Sequence, residues 1–406
     1  MKKNFILECA IITYREGIIT TDDLFIGCDS RQLGIVADHG KGSYLWDSNG
    51  KKYLDFVSGI AALSLGHCHP VVVKAIQKQS KKLLLSSNYT YTEPQNELAK
   101  YLYKLFPEYQ KHYFQNSGAE AVELAIKLAR YWAYKNKPGA YKIISLKNSF
   151  HGRTLGALSA TGKPQYQEPF APLVPGFFQI ERDDIGWLHI VTDNSANDVA
   201  AILLESIQGE GGVYPLSQDF ANEITKVCKE KNILLILDEI QTGIGRTGKW
   251  FGFEHFGLNP DIICIGKGFG GGVPISGVLA KDFLDLPKGL HGTTFGGNPL
   301  CCAVALEVLK YIEENNLVEN VRRAGIYLDC LLFVLLTPFG ITRRGLGLMW
   351  VVDFGNKEKA DKVFENCRKN GLLIGKVTDT AIRLLPPLNV TKNQIDEAID
   401  ILDRSI

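Results

Sequence analysis

The sequence predicts an α/β protein with a mostly parallel central sheet, joined to a smaller α+β unit made from its C-terminal part and N-terminal segment. Apolar runs of strand length recur as YKIISL (141–146), VAAILL (199–204), ILLIL (233–237) and DIICI (261–265). Helix-like stretches, DFANEITKVCKEK (219–231) among them, lie between these runs, as βαβ units require. Past HGTTFGGNP (291–299) the texture changes to long helical stretches alternating with short strands. The expected divisions are an N-terminal segment at 1–57, a large domain at 58–297 and a small domain at 298–406.

Composition narrows the function classes. The chain has 406 residues, 45% hydrophobic and 22% charged, which is ordinary for a globular protein with a large core. A formal net charge of +1 gives no footprint for nucleic acid or an anionic membrane surface. No apolar run approaches the ~20 residues that span a bilayer. The opening MKKNFILECAII imitates a secretion signal, but Glu8 interrupts it and no small-residue cleavage site follows. Nine cysteines without a CxxC pair read as reduced thiols, so the expected compartment is the cytoplasm.

Taken in order, residues 35–57 read as a small antiparallel unit, with Asn49-Gly50 turning between SYLWD and KKYLDFV. In SGIAALSLGHCHP (58–70), His67 and His69 flank Cys68. On an extended segment Cys68 points away from both histidines, so a structural turn is expected and no metal site. The clearest helix is NSGAEAVELAIKLARYWAY (116–134), where Val122, Ala125, Ile126, Ala129 and Trp132 form an apolar stripe. Glu123 and Lys127 are expected to pair across one turn. Ser117 with Glu120 matches a capping box, and the free N–H groups of such a terminus suit a phosphate.

Each strand-like run is followed by polar or aromatic residues: Phe150-His151-Gly152-Arg153, Glu205, Asp238 and Lys267. In an open parallel sheet, ligands sit beyond the carboxyl ends of the strands. Asp238 and Lys267 therefore face one ligand. Gly243-Ile244-Gly245-Arg246-Thr247-Gly248 matches the dinucleotide pattern, the alternative reading being a nicotinamide-dependent oxidoreductase. Its context is wrong, because DEIQT separates it from the strand and the aromatic KWFGFEHFG follows in place of a helix. GKGFGGG (266–272) fails as a phosphate loop, since its lysine comes early and no Ser or Thr follows. What remains is a lysine at a buried strand end, where desolvation favours the neutral amine that Schiff-base chemistry needs. A buried Asp238 needs a cationic partner, and a protonated pyridine nitrogen is one. Pyridoxal phosphate satisfies all the pieces, with an aromatic side chain free to stack on its ring.

The ordered motifs SGIAALSLGHCHP, NSGAEAVE, SFHGRTLGALSATG, ESIQGEGG, LDEIQTGIGRTG, GKGFGGGVPISG, HGTTFGGNP and RLLPP resemble those of the class III pyridoxal-phosphate aminotransferases, of fold type I. Within that family the likeness is greatest to the acetylornithine aminotransferases, and it runs from about Gly42 to the C-terminus. The resemblance implies that Lys267 bonds the cofactor and moves the proton, while Asp238 pairs with the ring nitrogen. It implies Gln241 near the ring's phenolic oxygen, Phe150 stacked on the ring, and Ser117, Gly118 and Ala119 on the phosphate. Thr294 would reach the cofactor of a partner subunit, which implies a homodimer with shared sites. Arg383 resembles the clamp for the α-carboxylate of glutamate and 2-oxoglutarate, with Glu210 masking it in the other half-reaction. Arg153 resembles the residue that binds the carboxylate of the ornithine-type substrate, and Glu205 lies near by pattern. Ile60 stands where ornithine aminotransferases carry tyrosine, which points to an acylated ornithine or a γ-aminobutyrate-type amine. The implied reaction moves the terminal amino group of N-acetylornithine to 2-oxoglutarate. Succinyl-diaminopimelate, succinylornithine, ornithine and 4-aminobutyrate are the alternative amines. Ser206 replaces a frequent proline, and Gly266 and Gly268 replace frequent alanines, a change expected to loosen the lysine loop.

Overall fold

Continuous apolar runs bury both faces of a strand, and the central sheet is built from such runs. The computed structural model describes residues 33–86, 88–194 and 197–406. The readings made on residues 1–32 lie outside the described residues. Strands β1 (Ala37–Lys41), β2 (Tyr44–Asp47) and β3 (Lys52–Asp55) form the expected antiparallel meander. The seven-stranded sheet then comprises β4 (Lys111–Gln115), β5 (Lys142–Leu146), β6 (Phe177–Ile180), β7 (Val199–Leu204), β10 (Leu234–Asp238), β11 (Ile262–Ile265) and β12 (Ser276–Ala280). A two-stranded ribbon of β8 (Ile207–Gln208) and β9 (Tyr214–Pro215) sits between β7 and β10 in the chain.

The order across the large sheet is β4-β12-β11-β10-β7-β5-β6. Strands β6, β5, β7, β10 and β11 run parallel, and only β12 opposes its neighbours. Two-residue periodicity divides the core between the faces. Ala201, Leu203, Leu234, Ile236, Ile262 and Cys264 pack with the helix at Gly118–Asn136, while Ile202, Leu204, Leu235, Leu237, Ile263 and Ile265 join the larger cluster opposite.

Helices α1 (Pro70–Ser80), α2 (Glu93–Leu105), α3 (Gly118–Asn136), α4 (Leu155–Ala160), α5 (Pro164–Gln167), α6 (Ile185–Asn194) and α7 (Gln218–Glu230) surround that sheet. Helix α3 has the predicted capping box between Ser117 and Glu120, and Val122, Ala125, Ile126 and Ala129 are buried as the stripe requires. The expected Glu123–Lys127 pair is corrected. Glu123 accepts from Thr154 Oγ1 and the Ala157 amide, and Lys127 reaches the Leu290 carbonyl and His291. Tertiary partners outcompete an exposed pair worth only a few tenths of a kcal/mol. The two histidines also have structural partners. His67 bonds the Asp55 carboxylate at 2.7 Å and His69 caps α1.

Toward the C-terminus come α8 (Pro299–Glu314), α9 (Leu317–Leu336), α10 (Lys357–Lys369) and α11 (Lys392–Asp403). With them are β13 (Thr342–Leu346), β14 (Met349–Asp353), β15 (Leu372–Leu373), β16 (Gly375–Thr378) and β17 (Ala381–Leu384). Strand β15 pairs parallel with β3, tying the first meander to the last third of the chain. Strands β13-β14-β17-β16 form a separate four-stranded sheet.

The glycine-rich turn 243–248 is the seam between the two sheets. Arg246 is fully buried and donates to the Leu348 carbonyl, whose own amide donates back to the Arg246 carbonyl at 3.0 Å. No helix follows the turn, only a short 3-10 segment at Gly252–His255. It therefore lacks the strand–turn–helix context of a dinucleotide site. Opposite it, a Cβ at Gly325 in α9 would lie 2.4 Å from the Gly347 carbonyl oxygen. Alanine normally favours a helix interior, yet backbone blocks it here. Gly325→Ala is expected to destabilise the protein by about 1–3 kcal/mol through overpacking. A chemical-denaturation midpoint equal to or above that of the unmodified protein would refute this close approach.

Candidate active site

Asp238 shares its face of β10 with Leu234 and Ile236, so it emerges on the side covered by α3. Lys267 follows β11, the parallel neighbour whose Cys264 is in register with Asp238. Both line a cavity of about 250 Å³, together with Gly118, Ala119, Phe150, Arg153, Glu205, Glu210 and Gln241. These strand-end residues were expected at one ligand, and the fold brings them together. His151, Gly152, Ile207, Ile240 and Thr242 complete the wall. A wider groove of about 450 Å³ between α1, α2 and α8 is lined largely by Lys and Glu side chains and has no comparable buried polar cluster.

Four expected site residues lie outside the lining. Ser117 spends its hydroxyl on the capping box and passes the cavity to the next two residues. Arg383 lies behind Glu210, held by a 2.7 Å ion pair. Ile60 is 46% exposed and Thr294 is also on the surface, next to Thr293, whose carbonyl accepts from Asn88 and whose hydroxyl accepts from Asn116.

His151 was not singled out among the candidate residues. Its Nδ1 lies 2.8 Å from Asp238 Oδ2, and both side chains are buried. The Ile240 amide donates to the other Asp238 oxygen at 3.1 Å. His151 Nε2 is buried with no hydrogen-bond partner among the described residues. The sequence signal was the histidine next to Phe150, but only the crossing of two distant strand ends shows its partner.

Electrostatics tune the remaining groups. Burial pulls the Lys267 amine below the ordinary lysine value; Glu210 opposes that and Arg383 reinforces it. Part of the side chain still opens onto the cavity, as a nucleophilic amine requires. Burial raises the Glu205 carboxyl to about 7, against the pull of His151 and of amide bonds from Phe150 and Gly209. For Glu210 burial alone would raise the carboxyl, but Arg383 and Lys267 outweigh it and hold it at about 2. Arg383 also donates to the Gly209 carbonyl at 2.9 Å and to Gln241 Oε1 at 3.2 Å.

The glycines flanking Lys267 are packed inside the protein. Gly266 and Gly268 are buried, and the Gly268 carbonyl accepts from Ser64 Oγ at 2.8 Å. Lys267 itself has φ of +43°, a strained left-handed conformation that the surrounding structure imposes. Ser206 has a local purpose too. Its hydroxyl donates to Glu239 Oε1 at 2.9 Å, a bond proline could not make.

Pyridoxal phosphate fits these groups. The first-turn amides of α3 at Gly118 and Ala119 have no intrahelical acceptor and suit its phosphate. Gly152 (φ +135°) crowds against them, since a Cβ there would lie 2.9 Å from that of Ala119. The family model for class III aminotransferases matches residues 26–406. The chain belongs to the class III aminotransferases. This family depends on pyridoxal phosphate, and so does this aminotransferase. It is 44% identical over 393 residues to an acetylornithine aminotransferase of Caldanaerobacter subterraneus, covering 95% of this chain and 98% of that one. A solved acetylornithine aminotransferase of Elizabethkingia anophelis superposes with a TM-score of 0.85 at 35% identity, covering 96% and 98% of the two chains. An ornithine aminotransferase of Toxoplasma gondii, with PLP partially occupying its active site, superposes with a TM-score of 0.90 at 34% identity, covering 97% of each.

Removing one partner of the Glu210–Arg383 pair strands a buried guanidinium. Glu210→Gln in the aminotransferase is expected to cost about 2–4 kcal/mol at pH 7, measured by chemical denaturation. The Glu210 carboxyl is depressed on folding, so its contribution is complete above pH 4.5 and fades as pH falls toward 2. The gap between the two proteins should narrow over that window; equal midpoints at pH 7 would disprove the pair's importance.

Proposed function

We propose that this aminotransferase moves the terminal amino group of N-acetylornithine to 2-oxoglutarate. The products are N-acetylglutamate 5-semialdehyde and glutamate, a step of arginine biosynthesis. The observation that carries the reading is the near full-length likeness to acetylornithine aminotransferases, 44% identical over 95% of the chain. Two arginines of different standing support it, Arg153 in the cavity wall and free of carboxylates, and Arg383 behind Glu210 and locked to it.

Bound pyridoxal phosphate supplies an electron sink for the pair of electrons left when a proton leaves the substrate carbon. Lys267 Nζ would hold the cofactor between turnovers and would take and return that proton. Burial lowers its basicity, which favours the neutral amine that a base or nucleophile needs. Asp238 would keep a proton on the ring nitrogen, and His151 fixes its carboxylate. Gly118 and Ala119 receive the phosphate, with Ser117 shaping the helix start. Phe150 and Gln241 line the cavity, where Phe150 would stack on the ring and Gln241 would bond its phenolic oxygen.

Arg153 binds the carboxylate of the amine substrate. Glu210 keeps Arg383 neutralised during that half-reaction and yields it to the α-carboxylate of glutamate or 2-oxoglutarate in the other. Exchanging one carboxylate for another leaves the buried guanidinium paired throughout. Glu205 holds the Phe150 and Gly209 amides and so braces both sides of the cavity. Ile60, apolar and near the helix turn after β3, replaces the tyrosine suited to a free ornithine amine. The exposed Thr294 loop, beside the α3 terminus, suits a second subunit, so the working unit is a homodimer with shared sites. Seven described cysteines are unpaired, which suits the reducing cytoplasm. No helix among the described residues is long and apolar enough to cross a membrane.

Lys267→Ala should abolish turnover with every amine and abolish borohydride trapping of the cofactor on the protein, read by mass spectrometry. Asp238→Asn should lower kcat by about 10²–10³-fold, the scale of losing one preorganised electrostatic contact. With N-acetylornithine, N-succinylornithine, succinyl-diaminopimelate, ornithine and 4-aminobutyrate compared by kcat/KM, N-acetylornithine should lead. A tenfold preference for free ornithine or 4-aminobutyrate would sink the substrate assignment.

A further inference from the structure

Arg153 and Arg383 are held by opposite physics. Arg383 is buried and its two terminal nitrogens bond Glu210, Gly209 and Gln241. Arg153 is exposed and has no ion pair or hydrogen bond among the described residues. Its guanidinium carbon lies 3.7 Å from the centroid of the Tyr166 ring, and 5.5 Å from that of Phe150. Stacking on a ring face restrains a guanidinium while leaving its in-plane N–H donors free for a planar carboxylate. An ion pair would consume those donors.

Tyr166 is itself well placed for this task. It lies half-buried on α5, whose Gln167 is fixed by the Leu158 and Thr161 carbonyls at 2.9 and 2.7 Å. Lys163, at the start of the same turn, has its amine 5.5 Å from the Tyr166 centroid and donates to the Glu210 carbonyl at 2.7 Å. One short turn therefore touches the supports of both arginines.

We infer that Tyr166 is a positioning residue for substrate recognition, its ring face preordering Arg153 to bind the carboxylate of the incoming amine. The inference rests on the reading of Arg153 as the carboxylate fork. A flexible arginine must lose rotamer freedom on binding, and Tyr166 removes much of that loss beforehand.

The test uses the holoenzyme and N-acetylnorvaline, which keeps the carboxylate of N-acetylornithine but has no reacting amine. Its dissociation constant is read by titration calorimetry, and KM and kcat for N-acetylornithine are read beside it. Tyr166→Leu, which keeps bulk but loses the aromatic face, should weaken binding and raise KM, each roughly 2–5-fold, the scale of an exposed cation–π contact. Its kcat should stay within about twofold, and Tyr166→Phe should restore wild-type binding. Should the leucine variant not fold, Tyr166→Gln takes its place. If Arg153→Ala weakens binding but Tyr166→Leu does not, or if Tyr166→Phe is as impaired as Tyr166→Leu, the inference fails. If Arg153→Ala itself leaves binding unchanged, the underlying reading of Arg153 fails.

Discussion

Strands β7, β10 and β11 are apolar and covered on both faces, so a charged group on them can appear only at or past the last residue of the ladder. That constraint places the chemistry. Glu205, Asp238 and Lys267 are successive answers to it on three adjacent strands, and the parallel register delivers all three to the same end. Helix α3 packs over the same strands and brings its amides to that end as well. The cavity is thus a consequence of sheet burial, with the polar groups concentrated where the core stops.

Within the cavity, charge is balanced rather than merely present. Asp238 bonds His151, and Arg383 pairs with Glu210. Leaving the buried Arg383 guanidinium without its carboxylate would cost several kcal/mol, so that pair stabilises the fold. Arg153 is the exception, steadied by rings and left with its donors open. On the proposed reading, a substrate carboxylate meets no competitor there, whereas at Arg383 it displaces Glu210, and that asymmetry lets two substrates with different carboxylates share one site.

Glu239, next to Asp238, supports the arrangement from below. It is fully buried, and burial raises its carboxyl to about 7 despite bonds from Thr242, Ser206 and the Gly252 and Phe253 amides. Those bonds fold the 239–253 segment back on itself, which carries Gln241 to the cavity and Arg246 to the seam with the second sheet. The glycine pattern at 243–248 is part of this packing. Its resemblance to a nucleotide loop ends where a helix would have to begin.

The alternation of apolar runs and helical periods was enough to establish the α/β class and to bring Asp238 and Lys267, at neighbouring strand ends, into one expected site, and both line one cavity. Those follow from local pattern, because burial and period are properties of contiguous residues. The capping box at Ser117 and the hairpin at Asn49-Gly50 were legible for the same reason. Long-range partners were not. Nothing near Glu123 announces Thr154, nothing near Ser206 announces Glu239, and His151 gains meaning only when Asp238, 87 positions away, comes within 2.8 Å. The same holds for the support of Arg153 by Tyr166 and for the backbone contact of Gly325 with Gly347. Local sequence determined which residues could do chemistry. The folded chain decided which were paired and which left free, because distance and desolvation are set by contacts between segments far apart in the chain.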